Sequence, residues 1–177
     1  MSKPSTRTIV ALLAATLLAV GVAYIAVIVA LARNTDKPQP QITAYAHGKT
    51  VSVTPYLYCD VHIEDNKLDL RNCDNSQHIA ELTVPAGYPL QLSLPKEIAD
   101  APWQMVLVYQ LPGGQDAQRL ATHRDFPQDA RAITVPTPTD PRLQLTGIEL
   151  QLPIPARDEN GQEGYVTSAR WAIHTAA

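Results

Sequence analysis

The sequence predicts an all-β body carried behind a single N-terminal transmembrane helix. Three observations carry that expectation: 25 consecutive uncharged residues near the N-terminus, a hydrophobic period of two beyond Gln41, and fifteen prolines against eight glycines in 177 residues. Proline breaks helix interiors, so this composition disfavours a helix-rich body. Apolar residues make up 45% of the chain, enough for a packed core, but aromatics only 6% with a single Phe. The core must therefore rely on Leu, Val and Ile.

The uncharged segment, Thr8–Ala32, holds 13 Leu, Ile or Val residues. As a helix it would extend roughly 37 Å at ~1.5 Å per residue, more than the ~30 Å hydrocarbon core. A cleaved signal peptide is the rival reading, and Ala30-Leu31-Ala32 fits its small-x-small pattern. Signal-peptide cores are ~7–15 residues, much shorter than this one. Residues 1–32 are accordingly read as an uncleaved signal anchor, with secretion after cleavage near Ala32 as the alternative. Ala11, Ala15, Ala19 and Ala23 recur every fourth residue along one helix face. Small residues let helices approach closely, which marks that stripe as a packing face for a partner helix in the bilayer. With eight alanines among 25 residues, chance alone also produces such a stripe.

Residues 33–41, "RNTDKPQPQ", form a polar, Pro-containing linker. At about 3.1 Å per residue it reaches roughly 28 Å, so the body stays near the membrane. Charge is divided unevenly. Lys3 and Arg7 stand in the first 32 residues without an acid; the rest carries the other 12 basic residues and all 17 acidic ones, a net −5. An acidic body without a Lys/Arg cluster is a poor partner for nucleic acid or for anionic headgroups.

Residues 42–177 alternate. "KTVSVTP" sets Val51 and Val53 against polar neighbours, and "PLQLSLP" places Leu90, Leu92 and Leu94 on one face. "WQMVLVYQL" aligns Trp103, Met105, Leu107, Tyr109 and Leu111, with Val106 and Val108 opposite, so this strand is expected to be covered on both faces. In "RLQLTGIELQLP" the apolar parity switches at Thr146-Gly147, which predicts a bulge or a crossing between sheets. "GYVTSARWAIHT" aligns Tyr165, Thr167, Ala169, Trp171 and Ile173. Turn signals at His47-Gly48, Pro85–Gly87, Pro112–Gly114, Pro136–Pro141 and Asp158–Gly161 separate the runs, and "PKEIADAP" allows one helical turn. Short strands at this spacing predict a β-sandwich. Tyr165, near the start of a late strand, suggests the tyrosine corner of immunoglobulin-like domains, so the full expectation is an immunoglobulin-like β-sandwich ectodomain.

Chemistry is sparse. Five histidines (His47, His62, His78, His123, His174) are dispersed, and no metal-site or nucleophile-elbow motif is present. Asp60 and His62 share a face of an extended segment beside Cys59, but a metal site needs three or four converging ligands. Cys59 and Cys73 are the two cysteines. A redox pair expects C-x-x-C near a βαβ unit, whereas an even count outside the cytosol expects a structural disulfide. The expectation is a Cys59–Cys73 staple across the acid-rich loop "HIEDNKLDLRN". The pair also places the body outside the cytosol, with the N-terminus cytoplasmic.

"TAYAHGKTVSVTPYLYCDV", "AELTVPAGYPLQLSLPKEIADAPWQMVLVY" and "GIELQLPIP" resemble the actinobacterial domain-of-unknown-function family DUF2771 of membrane-anchored envelope proteins. The resemblance covers most of residues 42–175, with Pro89–Trp103 its most specific part. It implies an envelope-exposed domain and supplies no activity. The functional expectation is a non-catalytic accessory or scaffolding subunit of an envelope membrane complex, without cofactor, metal or nucleic acid. A binding module for a lipid or glycan is the alternative, with Trp103 and Trp171 as candidate sugar platforms, although their in-phase apolar neighbours favour a place in the core for both; an envelope enzyme is the third.

Overall fold

From Ile42 onward the alternation of apolar and polar residues becomes a set of strands, because a pleated strand sends successive side chains to opposite faces. The structure, a computed structural model, describes residues 6–33, 38–64, 67–140, 142–157 and 162–175. The chain divides into two compact units, Met1–Pro38 and Gln39–Ala177.

The first unit contains α1, Thr6–Arg33, a helix of 28 residues. Its described side chains, 15–31, are all exposed, including Leu17, Val20, Tyr24 and Ile28. Among the described residues no helix is long and apolar enough to cross a membrane. Ala15, Ala19 and Ala23 are exposed on α1, and the side chain of Ala11 lies outside the described residues.

The second unit is built from strands. In chain order they are β1 (Ile42–Ala46), β2 (Lys49–Val53), β3 (Leu57–Glu64), β4 (Lys67–Asn75), β5 (Ala80–Glu81) and β6 (Leu90–Ser93). After one helical turn, α2 (Lys96–Ala99), come β7 (Gln104–Gln110), β8 (Asp116–Thr122), β9 (Ala132–Val135), β10 (Gln144–Arg157) and β11 (Glu163–His174). The smaller sheet has the order β2-β1-β6-β9 and the larger β4-β3-β11-β10-β7-β8. Both are antiparallel, and β5 alone pairs in parallel, beside the end of β11.

Local chemistry sets the joints. His47 and Gly48 both have positive φ (43° and 79°), the turn that closes a two-residue hairpin between β1 and β2. At Thr146-Gly147 the register of β10 on β7 shifts, so the predicted parity switch is a bulge within one sheet. It lets Leu145 and then Ile148 and Leu150 all face inward. The shift between Leu152 and Pro153 against β11 leaves Ser168 as the extra residue, its hydroxyl donating to the Leu152 carbonyl at 3.3 Å.

One apolar cluster joins the sheets: Ile42, Leu90, Leu92 and Ile133 from the smaller, Met105, Leu107, Ile148, Leu150, Trp171 and Ile173 from the larger. Burial of each such side chain contributes about 1.5–3 kcal/mol. Trp171 is 1% exposed, and its indole N–H donates to the Pro40 carbonyl at 2.9 Å. Val106 and Val108 are half-buried, so β7 is fully covered on one face rather than both.

Two expectations change. The stretch between the cysteines is a hairpin, not a loop, because Val61, Ile63, Leu68 and Leu70 alternate with its charged residues. Val61 pairs with Leu70 and Ile63 with Leu68, while Asp60–Arg71 and His62–Asp69 take the other face. The Cys59–Cys73 disulfide is present and joins β3 to β4 with Cα atoms 4.0 Å apart. It sits at a bulge where Cys59 opposes both Asn72 and Cys73; Asn72 takes a positive φ of 50°, and its amide donates to Asp60 at 3.0 Å. Tyr165 is 77% exposed on the far part of the β10–β11 hairpin, beyond the core, so it is no tyrosine corner.

Replacing both cysteines by serine is expected to lower the unfolding free energy by about 3 kcal/mol, the loop-closure value for ~15 residues. An unchanged urea midpoint would show that the strand ladder alone holds the hairpin. Leu150→Ala, which empties a site 1% exposed, should cost about 2–5 kcal/mol in the same assay. Leu120→Ala, at a site 58% exposed, should stay within about 0.5 kcal/mol.

Candidate functional site

The larger sheet has an outward face because each strand that fills the core sends its other parity away from it. On β7 those residues are Gln104, Val106 and Val108, on β10 Gly147, Glu149 and Gln151, and on β11 Arg170 and Ala172; all are half-buried. Directly paired residues share a face. Gln104, Gln151 and Arg170 therefore form one cross-strand row, and Val106, Glu149 and Ala172 the next.

Hydrogen bonds link the rows. The Gln104 amide donates to Gln151 at 2.8 Å, and the Gln151 amide donates to a Glu149 carboxylate oxygen at 2.5 Å. That oxygen lies 3.9 Å from the Arg170 guanidinium, an ion pair too long for a hydrogen bond. Arg170 Nε is buried with no hydrogen-bond partner among the described residues. The Tyr56 backbone N–H donates to the Arg170 carbonyl at 2.9 Å, which brings its phenol beside this pair. Burial pushes the Tyr56 phenol above its ordinary 10.0; Arg170 opposes that shift and Glu149 adds to it. The fold favours the neutral phenol, so this contribution is in place below about pH 10 and is lost as pH rises through the raised pKa.

Ile79, 54% exposed, stands as a ridge over this face. A cleft of about 350 Å³ on one side is lined by Tyr56, Asn75, Gln77, Glu149 and Ala172. Another of about 380 Å³ is lined by Val108, Gly147, Glu149, Ala172 and His174. Donors, acceptors and a small-residue floor thus lie together, without a nucleophile–base pair among them.

A second feature is one end of the larger sheet. β3 and β11 pair only at Leu57–Arg170 and Tyr58–Ala169. Beyond that point the β3–β4 and β10–β11 hairpins continue separately, roughly 20 Å at ~3.3 Å per residue for β3. They expose Val61, Ile63, Tyr165 and Val166. The chain joins the body beside the hairpin roots, where the Gln39 amide donates to Asp74 at 3.1 Å and Pro40 accepts from Trp171. From there β1 runs toward the opposite end, where Lys49 and Val51 lie beside His174.

The residues singled out from sequence fare differently. Cys59 and Cys73 are joined. His47 packs edge-on to Tyr88 at 4.3 Å, and His62 is exposed on the hairpin opposite Asp69. His123 lies 3.3 Å from the Trp103 carbonyl. Among the described residues no group of three or more His, Cys, Asp or Glu could hold a metal ion. Trp103 and Trp171 are 2% and 1% exposed, core residues closed to a sugar ring. Tyr56, Gln104, Glu149, Gln151 and Arg170 escape sequence reading, because each is an ordinary polar residue at a solvent-facing parity. Gln104 and Gln151 are 47 positions apart, and only strand pairing joins them.

Comparison of the sequence sets this chain among known ones. A family described as "Protein of unknown function (DUF2771)" matches residues 35–176. Uncharacterised proteins of Mycobacterium tuberculosis (strain H37Rv) and Mycobacterium bovis are each 40% identical over 144 residues, covering 81% of this chain and 82% of theirs. No solved structure matches.

The charge line predicts opposite shifts at Tyr56. Arg170→Gln should raise the phenol pKa further and Glu149→Gln should lower it, read by ultraviolet difference titration against Tyr56→Phe. Shifts of the same sign in both variants would show that burial alone governs the phenol.

Proposed function

From its membership of the DUF2771 family, to which the chain belongs across residues 35–176, we propose a non-catalytic, membrane-anchored extracytoplasmic protein, an accessory or scaffolding subunit of an envelope membrane complex. In this reading α1 is an uncleaved signal anchor, N-terminus inside, and the two sheets are an immunoglobulin-like sandwich outside. The 25 uncharged residues Thr8–Ala32 and the exposed apolar surface of α1 support the anchor. The Cys59–Cys73 disulfide supports the outer location, since such bonds persist outside the reducing cytosol.

The observation that carries the accessory role is the hairpin end. Two hairpins leave the core together at the end where the tether joins, and they present Val61, Ile63, Tyr165 and Val166 to solvent. Large apolar side chains on projecting hairpins add nothing to the core that anchors them, and their exposure suits a protein contact. The Ala15, Ala19 and Ala23 face of α1 offers a second contact, with a partner helix in the bilayer.

Purified from native membranes in mild detergent, the chain is expected to carry a membrane protein at fixed stoichiometry. Ile63→Asp combined with Tyr165→Asp should release that protein without changing the melting temperature. A monodisperse monomer, with no cross-linked neighbour in intact membranes, would sink the proposal. The cysteines should resist a membrane-impermeant maleimide on intact cells until reductant is added; labelling without reductant would contradict both the staple and the topology.

A further inference from the structure

Two hairpins leave the core side by side, and the edges between them are unpaired strands. We infer that this fork takes up an extended, basic segment of the partner, added as a strand to β11. The inference rests on the accessory role for the source of that segment and names its chemistry.

Backbone hydrogen bonding selects a strand. Along an antiparallel pair, bonded and non-bonded positions alternate. Pro153 and Pro155 of β10 have no N–H, and they lie opposite Thr167 and Tyr165. The bonded pairs are therefore Ile154–Val166 and Ala156–Gly164, and Thr167 and Tyr165 turn their N–H and C=O groups away from β10. On that side β3 has already parted, because its pairing with β11 ends at Tyr58–Ala169. The inner edge of β3 is open in the same way. Its bonded pairs with β4 alternate from Glu64–Lys67, which closes the hairpin, so Val61 and Ile63 direct their backbone groups into the fork.

The outer edges are blocked. Pro153 and Pro155 present a ring where an N–H would face out of β10, and the bulge opposite Cys59 interrupts β4 at Asn72 and Cys73. Prolines and bulges are devices that keep a sheet edge from pairing. Along the inner edges, residues 61–64 of β3 and 163–167 of β11 carry neither.

Side chains select the segment. Val61 and Ile63 share the face of the buried Cys59, and Ile154 continues the phase of Leu150 with Val166 opposite it. This face of the fork is apolar, with Ile63 69% exposed, and none of these four arm residues belongs to the cluster between the sheets. The other face carries Asp60, Glu64, Asp69 and Glu163. Its arginines are already engaged: Arg71 lies 2.6 Å from Asp69 and 3.7 Å from Glu64, and Arg157 lies 2.5 Å from Glu163. Residues 57–75 and 152–168 together hold eight acidic and three basic side chains, a net −5 that equals the whole net charge beyond residue 32. A strand sends alternate side chains to the two faces, so the segment that fits alternates apolar residues with Lys or Arg over about five positions. A second copy of this chain would set −5 against −5, and anionic headgroups would be repelled likewise.

The test uses the full chain in a non-ionic detergent and a fluorescent heptapeptide alternating lysine and valine, read by anisotropy. One control peptide has glutamate for lysine; another keeps every side chain but is N-methylated at each residue, which removes the strand donors. The lysine–valine peptide is expected to bind, and each control to bind at least about tenfold more weakly. Thr167→Pro removes an outward N–H and no bond within the hairpin, and should weaken binding about tenfold at an unchanged melting temperature. Leu120→Ala, on β8, should leave it unchanged. The N-methylated peptide decides the matter even where Thr167→Pro fails to fold. The inference is overturned if the lysine–valine peptide does not bind, if the N-methylated peptide binds equally, or if binding survives in folded Thr167→Pro. The accessory role is read separately, by co-purification from native membranes: a missing partner would overturn that role while peptide binding upheld the fork.

Discussion

Along the β10–β11 pair every second side chain enters the core between the sheets, and the phase of that pleat governs both faces of the body. Leu150 lies opposite Trp171 and Ile148 opposite Ile173, so the two strands present one continuous apolar surface to the smaller sheet. β7 joins with the same phase through Met105 and Leu107, and the chain entering at Pro40 is held by the indole of Trp171. A slip of one residue would exchange this surface for Glu149, Gln151, Arg170 and Ala172. The inward phase is thus fixed by burial, and the outward line of polar groups follows from it.

A strict pleat could not accommodate the sequence as written, and two bulges resolve the conflict. The bulge at Thr146-Gly147 absorbs a switch in apolar parity, so that Leu145 and Ile148 are both buried. The extra residue Ser168 marks the place where β10 and β11 leave the core and become a free hairpin. The β3–β4 hairpin has its own irregularity at Cys59 and Cys73, where a covalent bond ties two strands beyond the reach of the main apolar cluster. Cys59 is buried at 5% and Cys73 is exposed, so the bond lies at the boundary between packed body and projecting arm. Stabilisation by a crosslink is most useful there, since little apolar burial is available to hold the arm.

The two surfaces have different physical characters. The hairpin end is apolar on one face and acidic on the other, projecting and set where the tether joins the body. The outward sheet face is flat and polar, with the Glu149 and Arg170 charges balanced against each other. Membership of DUF2771 brings no assigned chemistry to either, and the contact proposed at the hairpin end therefore rests on its own geometry.

Period-two alternation by itself determined most strands of the body and the parity switch at Gly147, and the single helical turn at Lys96–Ala99 was allowed by the prolines that bracket it; that the switch is a bulge rather than a crossing between sheets was decided by the pairing of β10 with β7. The cysteine pair was legible as well: two thiols in a chain with an apolar N-terminal segment point to one bond. The burial of both tryptophans followed from their in-phase apolar neighbours; tertiary structure alone decided that the stretch between the cysteines is a hairpin and that Tyr165 is exposed beyond the core. It alone decided the candidate site as well. Parity says that Gln104, Glu149, Gln151 and Arg170 face outward, but which of them meet depends on strand order and register across the chain. Those are set by the packing of the whole core, which no short stretch of sequence contains.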